Sequence, residues 1–177
     1  LKDVAKAFYD QKGLGRASFK KSVYNIYERA SFKLIEVDLE KDKDQLKAAG
    51  AFMAFYDEFP KSEVADTALN NAAVYFHQQK KPQQAMETRL ILVEKFPKSK
   101  FHTENLYLLG YGYETIADYG TASQLYEQFF AKTQDHENSK RAIGLAATYK
   151  AAAGDYENAI KNYKAFITAY PDDKSTT

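Results

Sequence analysis

The sequence predicts an all-α fold, a right-handed superhelical solenoid of antiparallel helix pairs, and three observations predict it. Small residues recur 37 positions apart, at Ala73, Gly110 and Ala147 and again at Ala85, Ala122 and Ala159. An aromatic-Pro pair stands at Phe59-Pro60, Phe96-Pro97 and Tyr170-Pro171, and Thr133-Gln134 keeps the same register without the pair. Between the two small positions of each unit lies a polar, helix-breaking stretch: Lys80-Lys81-Pro82, Asp118-Tyr119-Gly120 or Gly154-Asp155-Tyr156. A fixed period of this length marks units that bury their apolar faces only against their neighbours.

The elements follow in order. Residues 1–23 read as a partial repeat or an N-terminal capping helix, with apolar positions Val4, Ala7 and Phe8, broken by Gly13-Leu14-Gly15. One long helix is expected over Arg16–Lys41, carrying Val23, Ile26, Tyr27, Ala30, Leu34 and Val37, and Asp42-Lys43-Asp44 ends it. Its second half opens a divergent repeat, 24–60, which keeps Ala48, Phe52 and Phe55 but has Glu36 at the small-residue position. Repeats at 61–97, 98–134 and 135–171 follow, and 172–177 begins a further one. The chain starts at Leu1 and stops where another helix is due, which reads as a piece of a longer protein.

Within each repeat the helical period is plain in Leu106, Leu109, Gly110 and Tyr113 before the turn and Ala122, Leu125, Tyr126, Phe129 and Phe130 after it. Small residues at matched heights let the backbones of helix A and helix B approach closely. Gly110→Ala is therefore expected to be tolerated or mildly stabilising. Glycine in the turns supplies a left-handed C-cap, and Pro ends helix B because it disfavours helix at the residue before it. Ser62, Ser99 and Asp172, just after the Pro positions, are expected to cap the next helix.

Composition narrows the function class. Lys+Arg 25 against Asp+Glu 24 leaves a net charge of +1, which gives no field favouring nucleic acid or an anionic membrane. Cysteine is absent, which removes disulfides and thiolate metal sites. No apolar run approaches the ~18 residues needed to span a bilayer. The histidines His77, His102 and His136 have no metal-ligand spacing and read as exposed helix or loop residues. No phosphate loop or nucleophile elbow appears, so no catalytic, cofactor or metal site is expected.

Leu109-Gly110, Tyr113, Ala122 and Tyr126 in one unit, and Ala147, Gly154-Asp155-Tyr156, Ala159, Tyr163 and Pro171 in the next, resemble the tetratricopeptide repeat family. The second unit departs from the pattern with Arg89 where an aromatic or Leu is usual. The usual period is about 34, and the extra residues fall between repeats, after Pro. Repeats with Phe-Pro-x-Ser resemble those of bacterial envelope proteins, namely outer-membrane-assembly lipoproteins and Tol-Pal partners.

The resemblance implies a non-enzymatic scaffold that binds a protein or peptide partner in a groove lined by helix A. The groove positions would be Asn70, Asn71, Val74 and His77 (with Thr67), then Glu104, Tyr107, Leu108, Tyr111 and Glu114, then Arg141 and Leu145 (with Gly144, Thr148 and Ala151). Packing of Tyr107 and Tyr111 against the next repeat is the competing reading. The family's carboxylate clamp of Lys and Asn is absent, its positions being Asn70 and Leu108. A periplasmic or outer-membrane-associated location is implied, the alternatives being a cytoplasmic adaptor for a signalling or polarity factor or a structural spacer. Self-association is expected through the C-terminal end, near Tyr163, Phe166 and Ile167.

Overall fold

The computed structural model describes residues 1–11, 17–134 and 137–173. These form nine α-helices with no strand among the described residues: α1 (Lys2–Asp10), α2 (Ala17–Asp42), α3 (Gln45–Glu58), α4 (Ala65–Gln78), α5 (Pro82–Lys95), α6 (His102–Thr115), α7 (Tyr119–Lys132), α8 (Ser139–Ala152) and α9 (Tyr156–Ala169). Each helix from α3 to α9 has 14 residues. Within α2–α4 and within α6–α9, short turns make consecutive helices antiparallel neighbours. The all-α class is the one the sequence predicts. His136, the Gly13-Leu14-Gly15 break and the last four residues of 172–177 lie outside the described residues.

The period is written most sharply in the backbone. Positive φ occurs at Lys43, Lys80, Ala117 and Gly154, each 37 residues after the last. At Lys80, Ala117 and Gly154 the following amide (Lys81, Asp118, Asp155) donates back to the carbonyl of Phe76, Tyr113 or Lys150, at 2.8–3.0 Å. This is the Schellman arrangement, which satisfies carbonyls orphaned at the helix end. Gly120 does not take the left-handed role expected of it and lies inside α7. Ala117 carries that strain with a Cβ. Replacing Ala117 by Gly should relieve about 1–2 kcal/mol of left-handed strain, partly offset by unfolded-chain entropy. A net gain of about 0.5–1 kcal/mol is expected in chemical denaturation.

Aspartates start the B helices α3, α7 and α9. Asp44, Asp118 and Asp155 accept from the amides of Lys47, Thr121 and Asn158, so the N-caps also keep the period. Ser62 and Ser99 are not caps. They sit two residues before the N-cap positions Val64 and Phe101, and their hydroxyls accept from those residues' amides at 3.1 Å. At the B-helix ends Phe59, Thr133 and Tyr170 share one backbone conformation (φ −126°, −147°, −134°). Thr133 therefore stops α7 as the aromatic-Pro pairs stop theirs.

The chain divides into two compact units, Leu1–Thr88 and Arg89–Thr177. In the first, Tyr27, Phe52, Phe55, Phe59, Ala72, Phe76 and Ala85 share one buried cluster. Phe32 of α2 meets Phe52 and Phe55 of α3 with ring centroids 5.3 and 5.2 Å apart. Glu36 turns outward and pairs with Lys33 at 2.9 Å, which explains how the small-residue position tolerates it. In α1 Ala5 is buried, whereas Val4 and Phe8, expected to face inward, are exposed. Ile26, Leu34 and Val37 of α2 are likewise exposed.

In the second unit Leu106, Leu109, Tyr126, Phe129 and Ile143 are fully buried. Gly110 of α6 faces Tyr126 so closely that a Cβ would stand 2.9 Å from Cε1 and 3.0 Å from Cδ1 of that ring. The close approach of helices A and B is therefore real, but it leaves no room for alanine. His102 is also buried, not exposed.

Candidate functional site

The A helices of the second unit, α6 and α8, carry groove positions one repeat apart, and a polar array ties them together. Arg141 of α8 donates from Nη1 to the Tyr107 hydroxyl (2.9 Å) and from Nη2 to Glu114 Oε1 (3.1 Å). Glu114 also accepts from the Tyr126 hydroxyl through Oε2, at 2.5 Å. Burial, reinforced by this Glu114 hydrogen bond, pushes the Tyr126 hydroxyl well above its ordinary pKa, so it stays a donor. Burial alone would weaken the Arg141 charge. The bond to Tyr107 and the fields of Glu114 and Tyr126 outweigh it and hold the guanidinium above its usual value.

Aromatic surface surrounds this array. The Arg141 guanidinium lies 5.9 Å from the centroid of Tyr111, whose side chain is 44% exposed. Tyr119 meets Tyr149 in a tilted ring contact at 4.7 Å and is 47% exposed. Glu114 faces Tyr149 too and, with burial, raises its pKa. Tyr107 behaves differently from Tyr111. It is 8% exposed and packs against Tyr126 and Phe129 at 5.7 and 5.1 Å, so it belongs to the core as well as to the array.

Of the groove residues read from the sequence, Tyr107, Tyr111, Glu114 and Arg141 are brought together here. Leu108 and Leu145 are half-buried on the same two helices, and Glu104 is exposed on the first turn of α6. Asn70, Asn71 and Val74 are half-buried and His77 exposed on α4, in the first unit. Tyr119, Tyr126 and Tyr149 were not among the expected site residues. Tyr126 stands on helix B, and its role appears only once Glu114 is seen to reach it.

Two buried polar groups lie elsewhere in this unit. Arg89, at the position usually aromatic, donates from Nη1 to Asn105 Oδ1 at 2.8 Å, and burial lowers its pKa. His102 has an Nδ1 without a hydrogen-bond partner among the described residues. Burial and the Lys132 charge lower its pKa, against a hydrogen bond to the Val93 backbone. The unfolded chain therefore takes up this proton near pH ~6.5, while the folded chain resists it. Stability should fall as pH drops through that window and level off once both states are protonated. His102→Gln should flatten this part of the melting-temperature profile.

Among the described residues no cluster of His, Asp or Glu is arranged to hold a metal ion. No helix there is long and apolar enough to cross a membrane. What the second unit offers is an aromatic and polar face on paired helices. Residues 144–173 match the tetratricopeptide repeat family. Two crystal structures of nearly identical TPR-like repeats, from a candidate kinesin light chain of Podosopora anserina, share the fold. Each is 14% identical, with TM-scores of 0.51 and 0.50, over 82% and 81% of this chain and 76% and 74% of theirs. No curated protein matches the chain in sequence. The tetratricopeptide repeat match covers most of α8 and all of α9, where Gly154 supplies the turn glycine and Ala159 the small residue.

Proposed function

We propose that the chain is a non-enzymatic, protein-binding scaffold whose α6–α8 face takes an extended or helical peptide. The observation that carries this reading is the exposed Tyr111 ring beside Arg141, whose guanidinium is held by Tyr107 and by Glu114, itself bonded to Tyr126. Tyr gives a flat apolar face with a polar tip, at low entropy cost on binding. Arg141, with Nη1 on Tyr107 and Nη2 on Glu114, keeps further donors for a peptide carbonyl or carboxylate. Peptides selected from a random library against the whole chain test this by amide NMR mapping. Shifts centred on Tyr107–Glu114 and Arg141–Thr148 are expected. A map centred on α7 and α9 would overturn it.

An envelope location belongs to this reading and is supported by the Phe-Pro-x-Ser resemblance. Fractionation of cells carrying the full-length protein would decide between it and a cytoplasmic adaptor. Self-association through α9 belongs to it as well. Tyr163 and Ile167 are exposed there, whereas Phe166, expected beside them, turns inward against Tyr170 at 5.5 Å. Concentration-dependent sedimentation tests that part.

A further inference from the structure

We propose that a cleft between α2 and α3 in the first unit receives α9 of a second copy, so that chains associate head to tail. This rests on the self-association reading above and names its acceptor. The cleft encloses about 190 Å³, walled by Leu34, Ile35 and Leu39 of α2 and floored by Ala51 and Phe55 of α3 and by Phe59 just after it. Asp38, Asp42, Asp44 and Glu58 stand around it with Lys2 and Lys47; Lys47 pairs with Asp42 and Lys6 lies 3.9 Å from Glu58, so Asp38 and Asp44 carry the negative charge left at the rim. Leu34 remains 43% exposed at its mouth.

The complement stands on α9. Tyr156, Ile160, Tyr163 and Ile167 fall at i, i+4, i+7 and i+11, one stripe of a helix, and each is at least 42% exposed. This spacing is that of anchors laid into an apolar groove. The adjoining side of α9, with Ala159 and Asn162, is buried. Lys161 and Lys164 lie along one side of the stripe together with Glu157, and the two lysines would meet the acidic rim. Both α9 and α3 have 14 residues, so donor helix and floor match in length. The volume suits one or two inserted side chains, which predicts a weak, salt-sensitive contact. Because donor and acceptor differ, the contact is heterologous and can propagate beyond a dimer.

Sedimentation velocity at submillimolar concentration tests this with two variants at exposed positions, Leu34→Glu in the cleft and Ile160→Glu on the stripe. Circular dichroism verifies that both keep their helices. The parent chain should sediment faster as concentration rises, and less so in high salt. Each variant alone should stay monomeric, and an equimolar mixture should form dimers and nothing larger, since one intact cleft and one intact stripe remain. Association abolished by Ile160→Glu but untouched by Leu34→Glu would overturn the cleft as acceptor while leaving self-association through α9 standing. A parent chain that is monomeric throughout would overturn both.

Discussion

Gly110→Leu is expected to cost about 3 kcal/mol, at the upper end of the range for overpacking a core. The first added carbon already falls 2.9 Å from Tyr126 Cε1, and the Leu125 Cβ is 3.4 Å away on the other side. The Tyr126 ring cannot retreat. It is fully buried, and its hydroxyl is anchored on Glu114. Gly110→Ala meets the same ring and is expected to lose about 1 kcal/mol net, the steric cost exceeding the ~0.8–1.0 kcal/mol that alanine gains in a helix. Gly50 is the control, because a Cβ there meets nothing within 4 Å. Gly50→Ala should therefore stabilise by about 0.5–1 kcal/mol. Denaturant titration of the three variants checks the set, and a Gly110→Ala chain as stable as the parent would contradict the close contact.

Tyr107→Ala should destabilise the second unit by about 3–5 kcal/mol, the usual cost of removing a buried aromatic ring. The sequence offers Tyr107 as a groove residue or as one packed against the next repeat, and the structure instead buries it against helix B of its own repeat. Its ring fills space between Tyr126 and Phe129, and its hydroxyl accepts from Arg141. Tyr107→Phe keeps the ring and loses one part-buried hydrogen bond, so a cost of about 0.5–1.5 kcal/mol is expected. Thermal melts of both variants check the contrast. A large loss for alanine alongside a small one for phenylalanine separates packing from the polar array.

The helix phasing was legible because it depends on local patterns. Small residues at Ala73, Gly110 and Ala147, and the stops at Phe59 and Tyr170, carry their meaning within a few residues of chain. The turns were legible in place but not in detail. Glycine signals a left-handed residue, yet Lys43, Lys80 and Ala117 adopt it without glycine, because the bonds closing the helix end hold them there. Tertiary facts were not legible. The sign of the Gly110→Ala effect depends on where the Tyr126 ring stands, and the burial of Tyr107 and His102 depends on neighbours outside their own helices. The site followed the same division. Glu114 and Arg141 are 27 residues apart, and only the repeat register suggests that they share a face. That Tyr126 and Tyr149 also converge on Glu114 is a matter of rotamers that spacing does not encode.

The claim that the α6–α8 face recognises a partner is tested most directly at Tyr111, whose exposed ring can be removed without opening the core. A peptide selected against the chain should be titrated by fluorescence anisotropy against the parent, Tyr111→Ala and Tyr156→Ala, an exposed tyrosine on α9. Loss of an aromatic anchor of this kind costs ~2 kcal/mol or more, roughly a thirtyfold rise in Kd. The expected result is that loss for Tyr111→Ala, with unchanged circular dichroism, and parent-like affinity for Tyr156→Ala. Parent-like affinity for Tyr111→Ala, with the loss transferred to Tyr156→Ala, would contradict it.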